Sequence, residues 1–308
     1  MLGSIKKLPI ISQIWSFIRK TKIIKKHKEV AGFWHPVIDQ YYSGQIVLEN
    51  LKPKKEFQTD RIIWQYWGQG CSDASLPEVV KHCFESVDQY KADYLVIRID
   101  DSNYKDYVDL PEYVIEKLEK GIFKRTFFSD LLRLSLLSLY GGVWLDATIL
   151  LTAPLDEKFK SLPYFMYQRD NKEQKKSFWE NSYAFYWGWD KEFKVKVLNS
   201  IIYAEKGNDL ITDMLELILY YWRTQNEIID YFFFQILYNE LVEGELKDKQ
   251  CQVVSDVYPH ILQTKFNGVK GLMEYGEALN FTSTHKMSYF DADGMKKMNA
   301  FLQNSNKL

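Results

Sequence analysis

Three polar side chains stand within one helical turn of a mostly apolar stretch, and a lone acid follows them. The turn holds Ser129, Asp130 and Arg133, and the lone acid is Asp146. A guanidinium forms charge-assisted hydrogen bonds with phosphate, while carboxylates accept hydrogen bonds from hydroxyl groups and bind divalent cations. The i, i+3 spacing of Asp130 and Arg133 equally suits an ion pair on a half-buried helix. These residue types therefore suit a phosphorylated, hydroxyl-bearing ligand, with a simple surface ion pair as the alternative.

A helix, a glycine turn and a strand must position these residues. Between Lys124 and Tyr140, apolar residues recur at the three- and four-residue spacing of a helix. Gly141-Gly142 ends this helix, because glycine is the usual residue just past a helix C-terminus. The apolar run 143–151 is long enough for a buried strand, and Asp146 interrupts it. Because an unpaired buried carboxylate is costly, Asp146 either has a partner in the fold or faces a ligand where the strand opens.

The preceding elements alternate between strand and helix, which predicts a parallel sheet. They are a strand at 61–67, a helix at about 76–90, a second strand at 94–99 and a short helix at 111–120. Ligands bind at the carboxyl ends of the strands in such sheets. Trp64, Gln65 and Trp67 lie near one of these ends, where an indole face can stack on a nucleobase. The alternative is that both tryptophans belong to the core.

The second half of the chain predicts strands at 164–168 and 183–189 and helices at about 191–205, 209–224 and 226–241. Asp230 lies just inside the N-terminus of the last helix, where the helix dipole favours an acid. His285 and Lys286 lie in a weakly alternating segment, 281–289, which is either an edge strand or a closing loop. Lys286 is a reasonable counter-charge for a phosphate. Most His-Lys pairs, however, are solvated surface residues.

The length of the chain allows one large domain or two small ones, and its net charge gives no case for nucleic acid as a partner. The chain has 308 residues and a net charge of −1, and aromatic residues make up 16% of it. This aromatic content suits sugar-binding pockets, although aromatic cores alone would also explain it. The three cysteines have no spacing that suggests a zinc site or a disulfide framework. A reducing cytoplasm is therefore the expected compartment.

The N-terminal segment, residues 1–57, differs from the domain expected at 58–308. Lysines and Arg19 crowd residues 6–28 around an apolar run that bears Trp15 and Phe17. The run is too short to span a bilayer and has no signal-peptide cleavage pattern. A basic amphipathic helix on an anionic membrane surface is the expectation, with a helix packed on the domain as the alternative. Residues 29–60 are expected to form a connector.

The pattern Ser-Asp-x-x-Arg followed by Tyr-Gly-Gly-Val-Trp-Leu-Asp-Ala-Thr, at 129–133 and 140–148, resembles the core motif of GT-A glycosyltransferases. It is most similar to bacterial capsular polysaccharide synthesis proteins and to the DXD-containing glycosyltransferase sugar-binding family. The resemblance implies a GT-A fold, with a mixed sheet flanked by helices. It also implies a UDP- or GDP-linked sugar as donor, a retaining reaction and a lipid-linked oligosaccharide acceptor at the inner face of the cell membrane.

The resemblance also implies roles for individual residues. Catalytic roles fall to Asp146, Asp130, Arg133 and Asp230, the last at the acceptor side. Donor contacts fall to Trp64, Gln65, Trp67, Ser129, Asp130, Arg133, Gly142, Asp146, His285 and Lys286. A divalent cation, Mn²⁺ or Mg²⁺, would be held by Asp146, Thr148 and His285.

The family's second aspartate is Thr148 here, which offers only a neutral hydroxyl, so the ion is either weakly held or replaced by Lys286 and Arg133. Two other classes stay open. One is an inactive sugar-binding scaffold of polysaccharide assembly, and the other is a phosphosugar transferase.

Overall fold

The computed structural model describes residues 9–305 apart from 73, 75, 183–184, 270–271 and 289, and leaves the side chains of residues 9–17 and 304–305 undescribed. The helices are α1 (Pro9–Tyr42), α2 (Glu78–Tyr90), α3 (Glu112–Glu119), α4 (Arg125–Tyr140), α5 (Glu157–Lys160), α6 (Lys176–Ser182), α7 (Asp209–Thr224), α8 (Phe233–Glu243), α9 (Tyr258–Phe266), α10 (Tyr275–Phe281) and α11 (Ala292–Ser305). The strands are β1 (Ile62–Tyr66), β2 (Leu95–Ile99), β3 (Gly142–Leu145), β4 (Ile149–Leu151), β5 (Tyr164–Gln168), β6 (Val197–Ala204) and β7 (Thr284–Lys286).

Two compact units share the chain. The first unit comprises the chain up to Val47 together with Arg169–Val197 and Glu227–Gln250. The second unit comprises Leu48–Gln168, Leu198–Asn226 and the chain from Cys251 onward. The expected domain boundary between residues 57 and 58 coincides with neither set of limits, and it stays a prediction.

The second unit is built on a mixed sheet of five strands in the order β2-β1-β3-β6-β5. Strand β1 runs parallel to both β2 and β3, whereas β6 runs antiparallel to β3. The carboxyl ends of β1, β2 and β3 therefore lie at one edge of the sheet, and the amino end of β6 lies at the same edge. Helix α4 contacts β1 and β3 and packs against α7. The predicted α/β class, with a mixed sheet flanked by helices, is confirmed.

Two glycines join α4 to the sheet. Gly141 ends the helix, with its N–H donating to the carbonyl of Leu137 at 2.8 Å and a φ of 72°. Gly142 has a φ of 101°, and a Cβ on it would lie 2.5 Å from the carbonyl oxygen of Ile62 on β1. Both positions thus require glycine, since other residues rarely adopt a positive φ. The helix ends where the sequence predicts, and the chain enters the sheet at once.

The apolar run 143–151 forms two strands rather than the single strand expected. Strand β3 stops at Leu145, and a turn closed by a 2.9 Å bond from the N–H of Ile149 to the carbonyl of Asp146 leads into β4. Strand β4 pairs antiparallel with β7, with Ile149 opposite Lys286. The chain therefore bends open at Asp146, and β7 brings Lys286 beside it.

Helix α2 and helix α9 cover the β4–β7 ribbon. Their buried side chains form one cluster with those of the ribbon and α11: Cys83, Leu150, Leu262, Phe266, Met287 and Met298. Ser86 on α2 ties the helix to β4, because its hydroxyl accepts the N–H of Leu151 at 2.9 Å. This packing fixes the position of β7 and thus of Lys286.

In the first unit, α1 continues through residues 29–42, where the sequence predicts a connector. Its buried face includes Ile23, Val30 and Trp34 and packs against α8. The indole N–H of Trp34 donates to the carbonyl of Phe233 at 3.1 Å, and the two rings are stacked. Apolar burial along this face keeps the segment helical despite Pro36 within it. Residues 1–8, with Lys6 and Lys7, and the side chains of Trp15 and Phe17 lie outside the description.

Three element predictions in the second half of the chain are wrong. The expected helix 191–205 is largely strand β6, because its β-branched residues pair with β3 and tertiary pairing overrides helical spacing. The helix expected from residue 226 begins only at Phe233.

The described part of the expected strand 183–189 is irregular; Tyr183 and Ala184 lie outside the description. Backbone carbonyls of the described part bind the buried Arg169, whose guanidinium donates to the carbonyls of Gly188 and Tyr186, each at 2.8 Å. The same guanidinium lies over the rings of Trp187 and Trp189.

Membrane-spanning character is not found in the part of the chain that the structure describes. None of its helices combines the length and the apolarity that crossing a bilayer requires.

Candidate functional site

The candidate site lies in the second unit, where the chain bends between β3 and β4. Asp146 follows the last residue of β3, and its N–H donates to the carbonyl of Ser200 on β6 at 2.9 Å. This places Asp146 at the carboxyl edge of the sheet, the edge that binds ligands in open α/β sheets. The side chains of Asp146 and Lys286 retain 21% and 16% of their exposure, so solvent reaches both.

The carboxylate of Asp146 is held from two sides. Its Oδ2 accepts a hydrogen bond from Lys286 Nζ at 2.7 Å. Its Oδ1 accepts from the indole N–H of Trp144 at 2.8 Å and lies 3.3 Å from Nη2 of Arg133. The Lys286 ammonium also donates to the hydroxyl of Ser200 at 2.8 Å. The partner that the sequence requires for Asp146 is thus supplied by two cations.

Arg133 is buried beneath this carboxylate and is fixed by its own helix and by β6. Its Nε donates to the carbonyl of Ser129 at 3.2 Å, and its Nη2 donates to the Ser129 hydroxyl at 3.1 Å. Its Nη1 donates to the carbonyl of Asn199 at 2.5 Å. The guanidinium carbon lies 5.1 Å from the ring centroid of Trp144. These contacts lock the guanidinium in one orientation, which aims it at the carboxylates.

Asp130 completes the cluster at its buried end. Its Oδ1 lies 3.3 Å from Nη2 of Arg133 and accepts a hydrogen bond from the side-chain amide of Asn199 at 3.0 Å. Asp130 and Arg133 keep only 7% and 5% of their side-chain exposure. A surface ion pair, the alternative for these two residues, is therefore excluded.

The two carboxylates titrate in opposite directions. Burial raises the pKa of Asp130 to about 6, against the opposing charge of Arg133, and the nearby charge of Asp146 adds to the rise. Burial also acts to raise the pKa of Asp146, but the charges of Lys286 and Arg133 outweigh it and lower this pKa to about 2. Asp146 is thus ionised throughout the physiological range, whereas Asp130 lies close to its titration point.

The arrangement places the half-buried ion pair of Asp146 and Lys286 next to the buried ion pair of Asp130 and Arg133. A hydroxyl-rich ligand would find acceptors in the carboxylate oxygens, and an anionic ligand would find a donor in the Lys286 ammonium. Because all four groups are held by fixed neighbours, they would meet a ligand without rearranging.

The residues present do not fit a divalent ion well. Mg²⁺ and Mn²⁺ prefer several oxygen ligands with negative charge. Asp146 already has a cationic donor on each oxygen, and Thr148 has only a hydroxyl, which lies 3.4 Å from that of Ser288. Within the described residues, no group of three or more His, Cys, Asp or Glu side chains could hold a metal.

Trp64 and Gln65, expected to contact the donor, are instead fully buried. The Trp64 indole donates to the carbonyl of Gly141 at 2.9 Å and packs against Tyr107 and Tyr140. Gln65 accepts a hydrogen bond from Arg98 at 3.2 Å. Trp64 is therefore a core residue, the alternative that the sequence left open, and neither side chain is accessible to a nucleobase.

Two other expected donor or metal residues, Trp67 and Thr148, lie near the turn, whereas Gly142 lies at the other end of β3, away from Asp146. Trp67 is half-buried and packs against the cluster that contains Ala147, the neighbour of Asp146. Gly142 allows β3 to lie close to β1, because it has no Cβ that would meet the carbonyl oxygen of Ile62. Thr148 lies in the turn itself, and its carbonyl accepts the N–H of Met287 at 2.8 Å. Trp67 remains a candidate for base contact on grounds of position.

His285 does not accompany Lys286 into the site. Successive residues of a strand point to opposite faces, and Lys286 points at Asp146. His285 pairs across the ribbon with Leu150, is fully buried, and lies with Nε2 3.1 Å from the Thr152 hydroxyl. Burial lowers its pKa to about 3, so the ring is neutral. The structure does not bring its ring to the metal site expected around Asp146.

Asp230 lies in the first unit, just before α8 rather than inside it. Its Oδ1 accepts the N–H of Phe232 at 2.8 Å, and its carbonyl accepts the N–H of Phe233 at 3.2 Å. It therefore shapes the turn that starts α8. Its role at an acceptor stays a prediction.

Three residues of the cluster escaped the sequence analysis: Trp144, Asn199 and Ser200. The sequence predicts a helix for Asn199 and Ser200, whereas both lie in β6, where the carbonyl of Ser200 accepts the N–H of Asp146. In β6 the side chain of Asn199 meets Asp130, and that of Ser200 meets Lys286. The available signal was a polar pair inside the β-branched run 197–204.

Comparison with known proteins identifies the family. The profile described as "Capsular polysaccharide synthesis protein" matches residues 13–304. No curated protein sequence matches at a significant level.

Solved structures similar to this one include two whose titles call them glycosyltransferases. The PaToxG glycosyltransferase is 14% identical, with a TM-score of 0.41 and coverage of 76% of this chain and 81% of that one. A glycosyltransferase involved in the glycosylation of the major capsid of PBCV-1 is 14% identical, with a TM-score of 0.39 and coverage of 78% and 99%. Because the family profile spans nearly the whole sequence, the chain belongs to the capsular polysaccharide synthesis protein family.

Proposed function

We propose that this protein is a GT-A-type glycosyltransferase, which moves a sugar from a UDP- or GDP-linked donor onto a growing bacterial surface polysaccharide. The observation that carries the proposal is Asp146 at the carboxyl edge of the sheet, held between Arg133 and Lys286. A half-buried carboxylate beside a half-buried ammonium suits a ligand that has both hydroxyl groups and phosphates. Family membership supports the same reaction class.

The role of each residue in this proposal follows from its position in the cluster. Asp146 accepts hydrogen bonds from hydroxyl groups of the donor sugar or ribose. Lys286 faces the diphosphate, because it is the less buried of the two cations that hold Asp146. Arg133 and Asp130 lie beneath and fix the orientation and charge of Asp146. Stabilising the charge that develops on the leaving diphosphate is the main demand of this chemistry.

The remaining parts of the proposal rest on family resemblance and charge. A lipid-linked oligosaccharide is the proposed acceptor, and retention of anomeric configuration is the proposed outcome. The proposed location is the cytoplasmic face of the cell membrane. Arg19, Lys22 and Lys25 support it, since all three are cationic side chains of α1 that are exposed.

Incubating the purified chain with a panel of UDP- and GDP-sugars tests the function. Hydrolysis or transfer that releases a nucleoside diphosphate, with free or transferred sugar, is the expected result. Release of a nucleoside monophosphate would instead identify a phosphosugar transferase. A chain that neither turns over nor binds any donor would be a scaffold without activity.

A further inference from the structure

The position two residues after Asp146 lacks the charge that a bound divalent ion would need. Thr148 contributes a hydroxyl there, and its neighbour within reach is the hydroxyl of Ser288. The other acid of the cluster, Asp130, is buried and already bonded to Asn199 and Arg133. A metal ion at Asp146 would therefore have one carboxylate, and it would stand next to an ammonium and a guanidinium. This repulsion disfavours the ion.

Lys286 places a positive charge directly beside the carboxylate of Asp146. Its ammonium is fixed by the carboxylate of Asp146 at 2.7 Å and by the hydroxyl of Ser200 at 2.8 Å. An ammonium has three donors, and within the described residues only these two are used. The side chain keeps 16% of its exposure. The third donor can thus reach a phosphate oxygen from solvent without breaking either existing bond.

We propose that Lys286 is the built-in counter-charge for the diphosphate of the donor and that donor binding at this site needs no divalent ion. The inference rests on the proposed function and names the group that replaces the metal. In the reaction, the bond between the anomeric carbon and the diphosphate oxygen breaks, and its electron pair stays on the diphosphate beside Lys286. The acceptor hydroxyl forms the new bond to carbon, and its proton passes to water.

Calorimetric titration of the full chain with UDP and GDP tests this inference without relying on turnover. Each nucleotide is titrated in EDTA and again with excess Mn²⁺ or Mg²⁺. For the nucleotide that binds, we expect the Kd in EDTA and the Kd with metal to agree within about threefold. Lys286→Met should weaken binding by about tenfold or more in both buffers, because it removes a charge-assisted contact. Lys286→Arg should restore part of the affinity.

Lys160→Met provides a matched control. Lys160 also pairs with an aspartate, Asp60, at 2.6 Å, and its side chain is 14% exposed, close to the 16% of Lys286. It lies near the amino end of β1, away from the edge that carries Asp146. Its substitution should leave the Kd unchanged.

The outcomes separate this inference from the proposed function. Binding that appears only with a divalent ion, or normal binding by Lys286→Met, would overturn the role of Lys286 and leave the glycosyltransferase proposal standing. Absence of binding to either nucleotide in every buffer would overturn both. The comparison of EDTA with metal uses the wild-type chain, so it decides the metal question even where Lys286→Met fails to fold.

Discussion

Asp130 lies in an environment very different from that of a free carboxyl group. It is buried, it shares Arg133 with Asp146, and its pKa is raised to about 6. An acid with a raised pKa in the folded state binds its proton more tightly there than in the unfolded state. Its ionisation therefore removes stability as the pH rises from about 4 to about 6, and the loss is constant above that window.

Asp130→Asn removes this titration while keeping the shape of the side chain. We expect the melting temperature of the variant, relative to wild type, to increase between pH 4.5 and pH 7. The buried charge accounts for an effect of order 1–3 kcal/mol, or a few degrees for a chain of this size. Thermal unfolding at a series of pH values measures the difference. A gap between the two proteins that does not change with pH would show that Asp130 titrates normally.

At the scale of single residues, the sequence predicts which residues belong to the site better than it predicts the direction in which a side chain points. Asp130, Arg133 and Asp146 were selected because charged groups in an apolar stretch need partners, and the structure brings them together. Trp64 was misplaced because the end of a strand can be located from sequence, whereas the face on which a side chain emerges cannot when both faces are buried. Lys286 and His285 differ for the same reason, since one residue of register decides which of them faces Asp146.

The junction of α4 and β3 is the element on which the site depends. Gly142 has a positive φ, and a Cβ on it would lie 2.5 Å from a backbone oxygen of β1. Gly207, between β6 and α7, has a φ of 71° but nothing within 4 Å of its Cβ position. A comparison of the two glycines therefore separates two costs of a substitution. Both positions require a positive φ, but only at Gly142 does an added Cβ also clash with a neighbouring strand.

Gly142→Ala should therefore destabilise the protein far more than Gly207→Ala. The second change costs about 1–2 kcal/mol through the left-handed backbone alone. The first adds a clash that forces β3 away from β1, for a total of about 3 kcal/mol or more. Urea unfolding midpoints compare the two variants directly. Equal losses at both positions would mean that the sheet yields to the extra methyl group at no cost.

Elements defined by local signals were predictable, and elements defined by pairing were not. Helix α4 and its end at Gly141 follow from apolar spacing and a glycine pair. The local pattern of β6 predicts a helix, because its pairing partner, β3, lies more than fifty residues earlier in the chain and the local sequence does not reveal that pairing. Asn199 and Ser200 were missed with it.

At the scale of the whole molecule, α1 carries both buried and exposed side chains within the described residues. Ile23, His27 and Val30 are buried, whereas Arg19, Lys22 and Lys25 are exposed. Assembly of the first unit from three separate segments could not be foreseen from sequence, because the contact between α1 and α8 joins residues about two hundred positions apart. The exposed cations are the basis of the proposed membrane contact of α1.

Replacing Arg19, Lys22 and Lys25 together by glutamine should weaken binding to anionic vesicles by about a hundredfold, because each cation near such a surface contributes about 1 kcal/mol. Co-sedimentation with phosphatidylserine-containing vesicles measures this. The control variant replaces three exposed lysines of the second unit: Lys91, Lys105 and Lys120. An equal loss in both variants would indicate a general charge effect, and no loss in either would remove the membrane role of α1.

The rate of nucleoside diphosphate release by Asp146→Asn tests the account most directly. Glu240→Gln is the matched control, since Glu240 is a buried carboxylate that likewise bonds a lysine, Lys194, at 2.7 Å, and lies in the first unit. With the donor found in the nucleotide-sugar panel, Asp146→Asn should release diphosphate at least about a hundredfold more slowly than wild type, while Glu240→Gln stays close to wild type and both remain folded. A folded Asp146→Asn protein that works at the wild-type rate would contradict the assignment of this site.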